Sequence, residues 1–273
     1  MPSPPNRLPL LLCAIALIAA ACGDSTGVAA SHDGGVDAPQ TEDGASTAAA
    51  SASATPPVSN ERTDVILAAD WADDVTITFE SESVIFTSNG LPNHETAEQY
   101  LGTERAVAYD AQFRFPLVPT ASSNPAATQI GPIGVAVSGA LFFNPFEAEG
   151  DSTPANASDE TIDGVSRIDS CGGQPLADGS SYHYHGIPTC ISEALDIPGE
   201  HSAIIGFLFD GFPIYGPQDL GGVPPIDLDA CNGHFGPTPD FAEDTYHYHV
   251  TTDGNHISEC FAGFAIATPV VGG

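Results

Sequence analysis

Lysine is absent from this sequence, and its 5 basic residues, all of them arginine, are set against 36 aspartate and glutamate residues. The formal net charge is therefore −31 at pH 7. A surface this acidic repels phosphate groups and anionic lipid headgroups. The composition argues against any binding to nucleic acid or to a membrane surface that is driven by charge.

Several catalytic signatures are missing as well. The sequence contains no phosphate-binding Gly-x-x-x-x-Gly-Lys loop, no Gly-x-Ser-x-Gly elbow and no His-Glu-x-x-His pair. Nucleotide-hydrolysing, serine-hydrolase and zincin functions therefore lack support. Long apolar runs are also scarce, and the clearest one, LPLLLCAIALIAAA at 8–21, is too short to span a bilayer.

That apolar run indicates export. It follows Arg7 and ends in AAACGD, which has the form of a secretory signal. The small residues before Cys22 resemble the lipobox of bacterial lipoproteins, in which cleavage leaves a lipid on the cysteine thiol. We therefore predict a lipoprotein signal peptide at 1–21 and a membrane anchor at Cys22, which places the protein at the cell envelope or surface. Plain secretion is the alternative.

Residues 22–60 consist mostly of Ala, Ser, Thr, Gly, Asp and Pro, and we predict that they form a disordered tether. Residues 61–273 are predicted to form one mainly β domain, because short apolar and alternating runs are separated by frequent Gly and Pro. The expected architecture is a sandwich or distorted barrel with long disulfide-closed loops. The strand candidates are 75–80, 83–88, 106–118, 133–145, 202–216 and 259–271. One short helix is expected at 93–101.

Four cysteines remain after the signal and the predicted lipid site, and an even number in an exported chain implies disulfides. Three pairings are possible. Cys171 and Cys190 bracket one Tyr-His-Tyr-His motif, while Cys231 and Cys260 bracket another, so local pairing is favoured. A zinc site built on these cysteines is discounted because the Cys-x-x-Cys spacing is missing.

The Tyr-His-Tyr-His motif occurs twice, at 182–185 and at 246–249, in a chain with only 9 histidines. Each copy follows an Asp-x-Cys-x-Gly sequence, which begins at Asp169 and at Asp229. These aspartates are either turn formers or hydrogen-bond acceptors for metal ligands. Two divergent copies predict a pseudo-symmetric pair of loops that face one site.

Side chains alternate between the two faces of a strand, so the two histidines of each motif would share one face and the two tyrosines the other. Histidines two residues apart can reach one metal ion, and imidazole ligands suit copper or zinc. The predicted ligands are His183, His185, His247 and His249. Packing or supporting hydrogen bonds are assigned to Tyr182, Tyr184, Tyr246 and Tyr248. The alternative is an aromatic ladder that binds no metal.

These motifs also carry a family resemblance. Over most of 71–266 the chain resembles the bacterial YHYH-domain proteins. The matching segments are TSNGLPNH, IGVAVSGALFFNP, DSCGGQ with SYHYH, AIIGFLFDGFPIYGP, and DACNGH with TYHYH. The resemblance implies an exported, often lipid-anchored domain with a metal site, and it implies no particular reaction or substrate. The family pattern usually ends its first Cys-Gly-Gly with His, where this chain has Gln174.

Three other histidines and one aspartate could take part in a metal site or have a purely structural role. His94 is either a fifth ligand or a surface turn residue, and His234 either binds metal or caps a turn. Asp210 interrupts an apolar run, so it either forms a turn or orients an imidazole. His201 precedes a buried strand and is assigned a structural role.

Three functions remain. The first is a metal-binding module that captures copper or zinc through closed coordination. The second is a metal-dependent enzyme, hydrolytic or oxidative, with an open coordination position. The third is a structural or adhesive β domain without metal. We favour metal binding, with no nucleic-acid partner and with membrane contact only through Cys22.

Overall fold

The computed structural model describes residues 60–148, 155, 161–251, 256–266 and 270–271. The predicted signal peptide, Cys22 and the tether up to residue 59 lie outside these residues. The helices are α1 (Asn60–Ala68) and α2 (Thr189–Leu195). The strands are β1 (Thr76–Glu80), β2 (Ser83–Ser88), β3 (Ala111–Pro116), β4 (Ala121–Ala127), β5 (Pro132–Ala136), β6 (Leu141–Phe143), β7 (Thr161–Ile162), β8 (Val165–Ser166), β9 (Gly173–Gln174), β10 (His183–Tyr184), β11 (Ile204–Leu208), β12 (Pro213–Tyr215), β13 (Gly233–Gly236), β14 (Thr245–His249), β15 (Cys260–Gly263) and β16 (Val270–Val271).

The largest sheet has eight strands in the order β13-β14-β12-β11-β5-β6-β10-β9. Its two halves repeat the same pattern. In each half an antiparallel hairpin is followed by a parallel strand and then by an antiparallel edge strand. The halves meet where β5 and β11 pair antiparallel. The sheet therefore has a pseudo-two-fold axis at its centre, and it consists of two structural copies, β5-β6-β9-β10 and β11-β12-β13-β14.

Glycine is needed where the two copies meet. A Cβ atom added at Gly206 would lie 2.1 Å from the backbone oxygen of Val135, and one added at Gly134 would lie 2.6 Å from the backbone oxygen of Phe207. The two glycines occupy equivalent positions, because Gly134 pairs with Leu208 while Gly206 pairs with Ala136. The close approach of the central strands leaves no space for a side chain on this face.

A smaller sheet of order β1-β2-β3-β16 packs on one face of the large sheet. Phe115 of the small sheet stacks on Phe207 of the large sheet with ring centroids 5.5 Å apart, and Phe113 stacks on Phe209 at the same distance. The opposite face of the large sheet carries a second apolar cluster, which includes Tyr184 and Tyr248. The prediction of a mainly β domain is confirmed, and the sheets stack without closing into a barrel.

The strand predictions at 133–145 and 202–216 each resolve into a hairpin, because Gly139 and Gly211 turn the chain at positive φ. The helix predicted at 93–101 is wrong. In that segment the backbone N–H of Asn93 donates to the carbonyl of Ser138, and that of Ala97 donates to the Tyr100 hydroxyl. These bonds to other groups replace the helical pattern. The sequence reading did not predict α1 or α2.

Neither helix within the described ranges combines the length and the apolar character that a bilayer crossing requires.

Candidate metal centres

The Asp-x-Cys-x-Gly sequence builds the same loop in both copies. One carboxylate oxygen of Asp169 accepts the backbone N–H groups of Cys171 (2.9 Å) and Gly173 (3.2 Å), and the other accepts the Tyr182 hydroxyl (2.8 Å). The aspartate therefore forms a turn and also fixes a tyrosine, and it touches no histidine ring through these bonds.

In the second copy, Asp229 accepts the backbone N–H groups of Cys231 (2.8 Å) and Gly233 (3.3 Å) and the Tyr246 hydroxyl (2.9 Å). The predicted disulfides close each loop, and they are Cys171–Cys190 and Cys231–Cys260. Each disulfide ties the loop of one Asp-x-Cys-x-Gly sequence to a segment that follows its Tyr-His-Tyr-His motif.

The glycine of this sequence is required by the tyrosine above it. A Cβ atom at Gly233 would lie 2.3 Å from the Tyr246 hydroxyl oxygen. We expect Gly233→Ala to lower the free energy of unfolding by about 2 kcal/mol, because the tyrosine must leave its site on Asp229. Denaturant unfolding measures this. Gly236→Ala in the same strand is the control, since its added Cβ meets nothing closer than 3.7 Å. Equal losses in the two variants would contradict the steric explanation.

The registers of the two motifs are the same. His183 lies opposite Gln174 in the β9–β10 pair, and His247 lies opposite His234 in the β13–β14 pair. The histidines share the face of the large sheet that packs on the small sheet, while the tyrosines lie on the other face. The four motif histidines are all buried.

The second copy gathers more histidines than its motif supplies. Ligand atoms of His201, Asp219, His247 and His249 all lie within 4.8 Å of one another. The Nε2 atom of His234 adds a further ligand position, 3.0 Å from Nε2 of His247. We call these four histidines with Asp219 the second histidine cluster.

Hydrogen bonds fix the tautomers in this cluster. The Nδ1 atom of His201 lies 2.7 Å from the carbonyl oxygen of Ser202, and that of His249 lies 2.7 Å from the carbonyl oxygen of Gly216. A carbonyl oxygen only accepts, so each Nδ1 carries the proton and each Nε2 carries a lone pair. Both of these Nε2 atoms are buried and have no hydrogen-bond partner among the residues that the structure describes.

The other two rings follow the same rule. Nδ1 of His247 donates to the carbonyl oxygen of Thr245 at 3.0 Å, and Nδ1 of His234 donates to the carboxylate of Asp227 at 2.8 Å. Their Nε2 atoms face each other at 3.0 Å. The ligand atoms of His201, His247 and His249 lie near one another and near Asp219, while His234 forms a second group with Asp219 and Asp227.

Burial favours the neutral form of the two motif rings, His247 and His249. Desolvation lowers the pKa of His247 to about 4 and the pKa of His249 to about 3, and the neighbouring histidines act in the same direction. Imidazole nitrogens with free lone pairs are common ligands of transition-metal ions.

The first copy has a smaller arrangement. Nε2 of His183 lies 3.1 Å from Nε2 of His185, and their Nδ1 atoms donate to the carbonyl oxygens of Ser181 and Asn144. A carboxylate oxygen of Glu147 lies 3.6 Å from Nε2 of His185. Phe143 stacks on the His183 ring with centroids 3.8 Å apart.

The two motifs do not face one site. Four strands, β12, β11, β5 and β6, separate β14 from β10 in the sheet. Five interstrand steps correspond to about 24 Å. The expectation that the four motif histidines converge is therefore corrected: each Tyr-His-Tyr-His motif forms its own cluster at one end of a long sheet.

The tyrosines and Asp210 act on the opposite face. The Tyr248 hydroxyl donates to Asp210 at 2.5 Å, and the Tyr184 hydroxyl lies 3.1 Å from Ser138, at the equivalent position of the first copy. His94 lies there too, with its Nε2 2.6 Å from the Tyr184 hydroxyl. The structure therefore brings neither His94 nor Asp210 to the histidine rings.

The sequence reading missed two members of the second histidine cluster. His201 was assigned a structural role, and Asp219 was not singled out. A signal for Asp219 was present, because Phe-Asn-Pro-Phe-Glu ends at Glu147 after the first hairpin and Tyr-Gly-Pro-Gln-Asp ends at Asp219 after the second. The acid that follows each hairpin approaches the histidines of its own copy.

A family model described as YHYH protein matches residues 112–223 and 221–263, which is more than half of the chain. The chain belongs to the YHYH protein family. The match spans both copies of the large sheet in this YHYH protein, including both motifs and both disulfides, whereas His94 lies before the matched region. A search of curated proteins and a search of solved structures each find no match.

Proposed function

We propose that this domain binds one transition metal ion, zinc or copper, at the second histidine cluster. The observation that carries the proposal is the set of four neighbouring imidazoles whose Nδ1 atoms are all bound to oxygen. Ligand atoms of His201, His247, His249 and Asp219 lie within 4.8 Å of one another, and Nε2 of His234 lies 3.0 Å from Nε2 of His247. Such an arrangement is unfavourable in a buried site unless a cation fills it.

The dimensions support a single ion. Nitrogen ligands of tetrahedral zinc lie about 2.0–2.1 Å from the metal, so they lie about 3.3 Å from one another. The Nε2 atoms of His234 and His247 are 3.0 Å apart. Asp219 adds a carboxylate oxygen on the same side. A small adjustment of the rings would complete a four-coordinate or five-coordinate site.

Groups around the cluster hold the rings in place. Metal-binding histidines usually donate their other N–H group to a carboxylate or to a carbonyl oxygen, and all four rings do so here. Asp227 accepts this hydrogen bond from His234. In the sequence, Asp210 is a candidate for the role of orienting an imidazole, and Asp227 is the residue that fills it. These bonds fix the ring orientations before any ion binds.

An exported location is part of the proposal. The two disulfides are typical of oxidising compartments, and the signal-like beginning of the chain leads to Cys22. A lipid on Cys22 would tether the domain at the cell surface, where it would meet metal ions from outside. The net charge of −31 would raise the local concentration of cations.

The test is metal content by mass spectrometry on the oxidised, full-length protein after loading with zinc or copper and dialysis. We expect the His249→Gln variant to lose at least one equivalent relative to wild type, because one of four converging nitrogens is removed while a neutral side chain remains. His256→Gln is the matched control, since the imidazole of His256 lies outside both clusters. Equal metal content in wild type and His249→Gln would overturn the proposal.

The two other functions predict different results. A metal-dependent enzyme would also require a coordination position that a substrate can reach, and the number of donors in the second histidine cluster favours closed binding instead. A purely structural or adhesive domain would retain no metal and would tolerate His249→Gln without any loss.

A further inference from the structure

The two copies of the large sheet are unequal at their histidine ends. The first copy keeps His183 and His185 in the positions of His247 and His249, and it keeps an acid, Glu147, in the position of Asp219. It departs at the positions of His234 and His201. Gln174 occupies the register position that His234 has in the second copy.

The first copy also has no counterpart to His201. In the described part of the chain, the rings recorded against His183 and His185 are those of Phe143 and of each other. Phe143 occupies the position of Tyr215, which packs on the histidines of the second copy. Two imidazoles and one carboxylate therefore remain where the second copy has four imidazoles and one carboxylate.

The two imidazoles of the first copy also face each other through their Nε2 atoms. Both Nδ1 atoms donate to carbonyl oxygens, at 2.7 Å for His183 and at 2.6 Å for His185, so both Nε2 atoms carry lone pairs. These Nε2 atoms are 3.1 Å apart, and both residues are buried. Two facing acceptors at this distance repel each other unless a positive ion lies close to both.

Gln174 supplies an independent observation. Its side-chain N–H group donates to a carboxylate oxygen of Glu147 at 2.6 Å, which holds that carboxylate beside His185. The residue is only 3% exposed, yet within the described part of the chain its amide oxygen has no hydrogen-bond partner. A buried acceptor without a donor is costly, and a water molecule bound to a metal ion would supply the missing donor.

We propose that the first copy forms a second, separate metal site with His183 and His185 as ligands. Glu147, whose carboxylate lies 3.6 Å from Nε2 of His185, would turn toward the ion as the third ligand, and the remaining coordination positions would stay open for an exchangeable oxygen donor. Two imidazoles and one carboxylate form the donor set of open divalent-metal sites. The Glu147 side chain is 44% exposed, so the site has a solvent-facing side. A small oxygen-donor ligand, either water or a small anion, would occupy the open positions beside Gln174.

This site does not depend on the second histidine cluster. The second histidine cluster has enough protein ligands to complete the coordination of its ion. The first copy has fewer, so some coordination positions of its ion would be left to solvent. The duplicated fold would thus hold one ion firmly at one end and expose another to solution at the other end.

Cobalt(II) is the probe, because its visible absorption differs between four-coordinate and higher-coordinate sites. The His249→Gln variant of the full-length protein should bind one equivalent at the first copy, with the weak absorption of a higher-coordinate ion. Azide should change that spectrum. In the His183→Gln variant, the ion at the second histidine cluster should not respond to azide.

Two further variants separate a ligand role from a structural one. In the His249→Gln background, Glu147→Gln should weaken cobalt binding by more than the roughly 10- to 100-fold that loss of an outer hydrogen-bond partner costs. Gln174→His should strengthen it and reduce the azide response, because it restores the histidine of the second copy. Glu147 is 44% exposed, so we expect its replacement by Gln to leave folding intact, and far-ultraviolet circular dichroism of the variant checks this.

Each outcome bears on one proposal. No cobalt in His249→Gln, with one equivalent in wild type, would overturn the open site and leave the second histidine cluster standing. The open site would also be overturned if the His249→Gln variant binds cobalt with an affinity that Glu147→Gln leaves unchanged and with a spectrum that azide leaves unchanged. Cobalt that is absent from His183→Gln but present in His249→Gln would instead overturn the function proposed for the second histidine cluster.

Discussion

Zinc or copper at a thousand times its dissociation constant should raise the free energy of unfolding of this domain by about 4 kcal/mol. The gain is expected because the second histidine cluster exists only in the folded chain. Its ligands come from the segment before β11, the loop after β12, and strands β13 and β14. An unfolded chain cannot bring these segments together, so the ion binds the folded state preferentially.

Denaturant unfolding of the oxidised protein, with metal and then with an excess of chelator, measures this gain. The His249→Gln variant should lose most of it, whereas His256→Gln should keep it. A gain of the same size in His249→Gln would place the stabilising ion away from the second histidine cluster. No gain in any of the three proteins would contradict metal binding by the folded domain.

The sequence predicted much of this cluster because its signals are local. Alternation along a strand places His247 and His249 on one face and Tyr246 and Tyr248 on the other, whatever the rest of the fold does. The disulfides were also predictable, since each pair brackets its own motif. Local pattern was sufficient for these features.

The separation of the two sites could not be read from the same pattern. A duplicated motif predicts two similar loops, and it does not tell whether a sheet will place them together or apart. Here β5 and β11 form the junction between the copies, so the Tyr-His-Tyr-His strands lie far out on opposite sides. The glycine pair Gly134 and Gly206 made that junction possible, and a sequence shows glycine without showing what approaches it.

His201 was beyond local reasoning for a related reason. It lies 46 residues before His247 in sequence number, and its ring reaches the second histidine cluster only because β11 and β12 fold back beside β14. The ring centroid of His201 then lies 5.5 Å from that of His247 and 5.2 Å from that of His249. Such contacts depend on topology, and no periodicity in the sequence reports them.

The helix expected at 93–101 was wrong because tertiary bonds outweigh a weak helical pattern. The Tyr100 hydroxyl donates to Asp169 at 2.8 Å, and His94 bonds to Tyr184. Both side chains therefore form hydrogen bonds on the face of the large sheet that carries Tyr182 and Tyr184. A polar segment with these bonds has little to gain from two isolated helical turns.

Asp210→Ala should lower the free energy of unfolding by about 3 kcal/mol or more, because three buried donors would lose one acceptor. The carboxylate accepts the Tyr248 hydroxyl at 2.5 Å, the backbone N–H of Gly263 at 2.9 Å and that of Phe212 at 3.3 Å. It thereby joins β14 to β15 behind the second histidine cluster. Burial raises the pKa of the Asp210 carboxyl, while these three hydrogen bonds act in the opposite direction.

The pseudo-two-fold axis supplies the matched control for this prediction. Ser138 occupies the equivalent position in the first copy, where its hydroxyl lies 3.1 Å from the Tyr184 hydroxyl. Ser138→Ala should cost only about 1 kcal/mol, because Tyr184 keeps its bond to His94. Denaturant unfolding in chelator compares the two variants without any contribution from bound metal.

A third variant tests whether the loss in Asp210→Ala arises in part from its hydrogen bond with Tyr248. Tyr248→Phe removes one of the three donors, so Asp210→Ala made in that background should cost less than it does alone. Additive losses would mean that Asp210 and Tyr248 act independently. Equal losses for Asp210→Ala and Ser138→Ala would contradict the view that the second copy depends on this carboxylate to anchor its Tyr-His-Tyr-His strand.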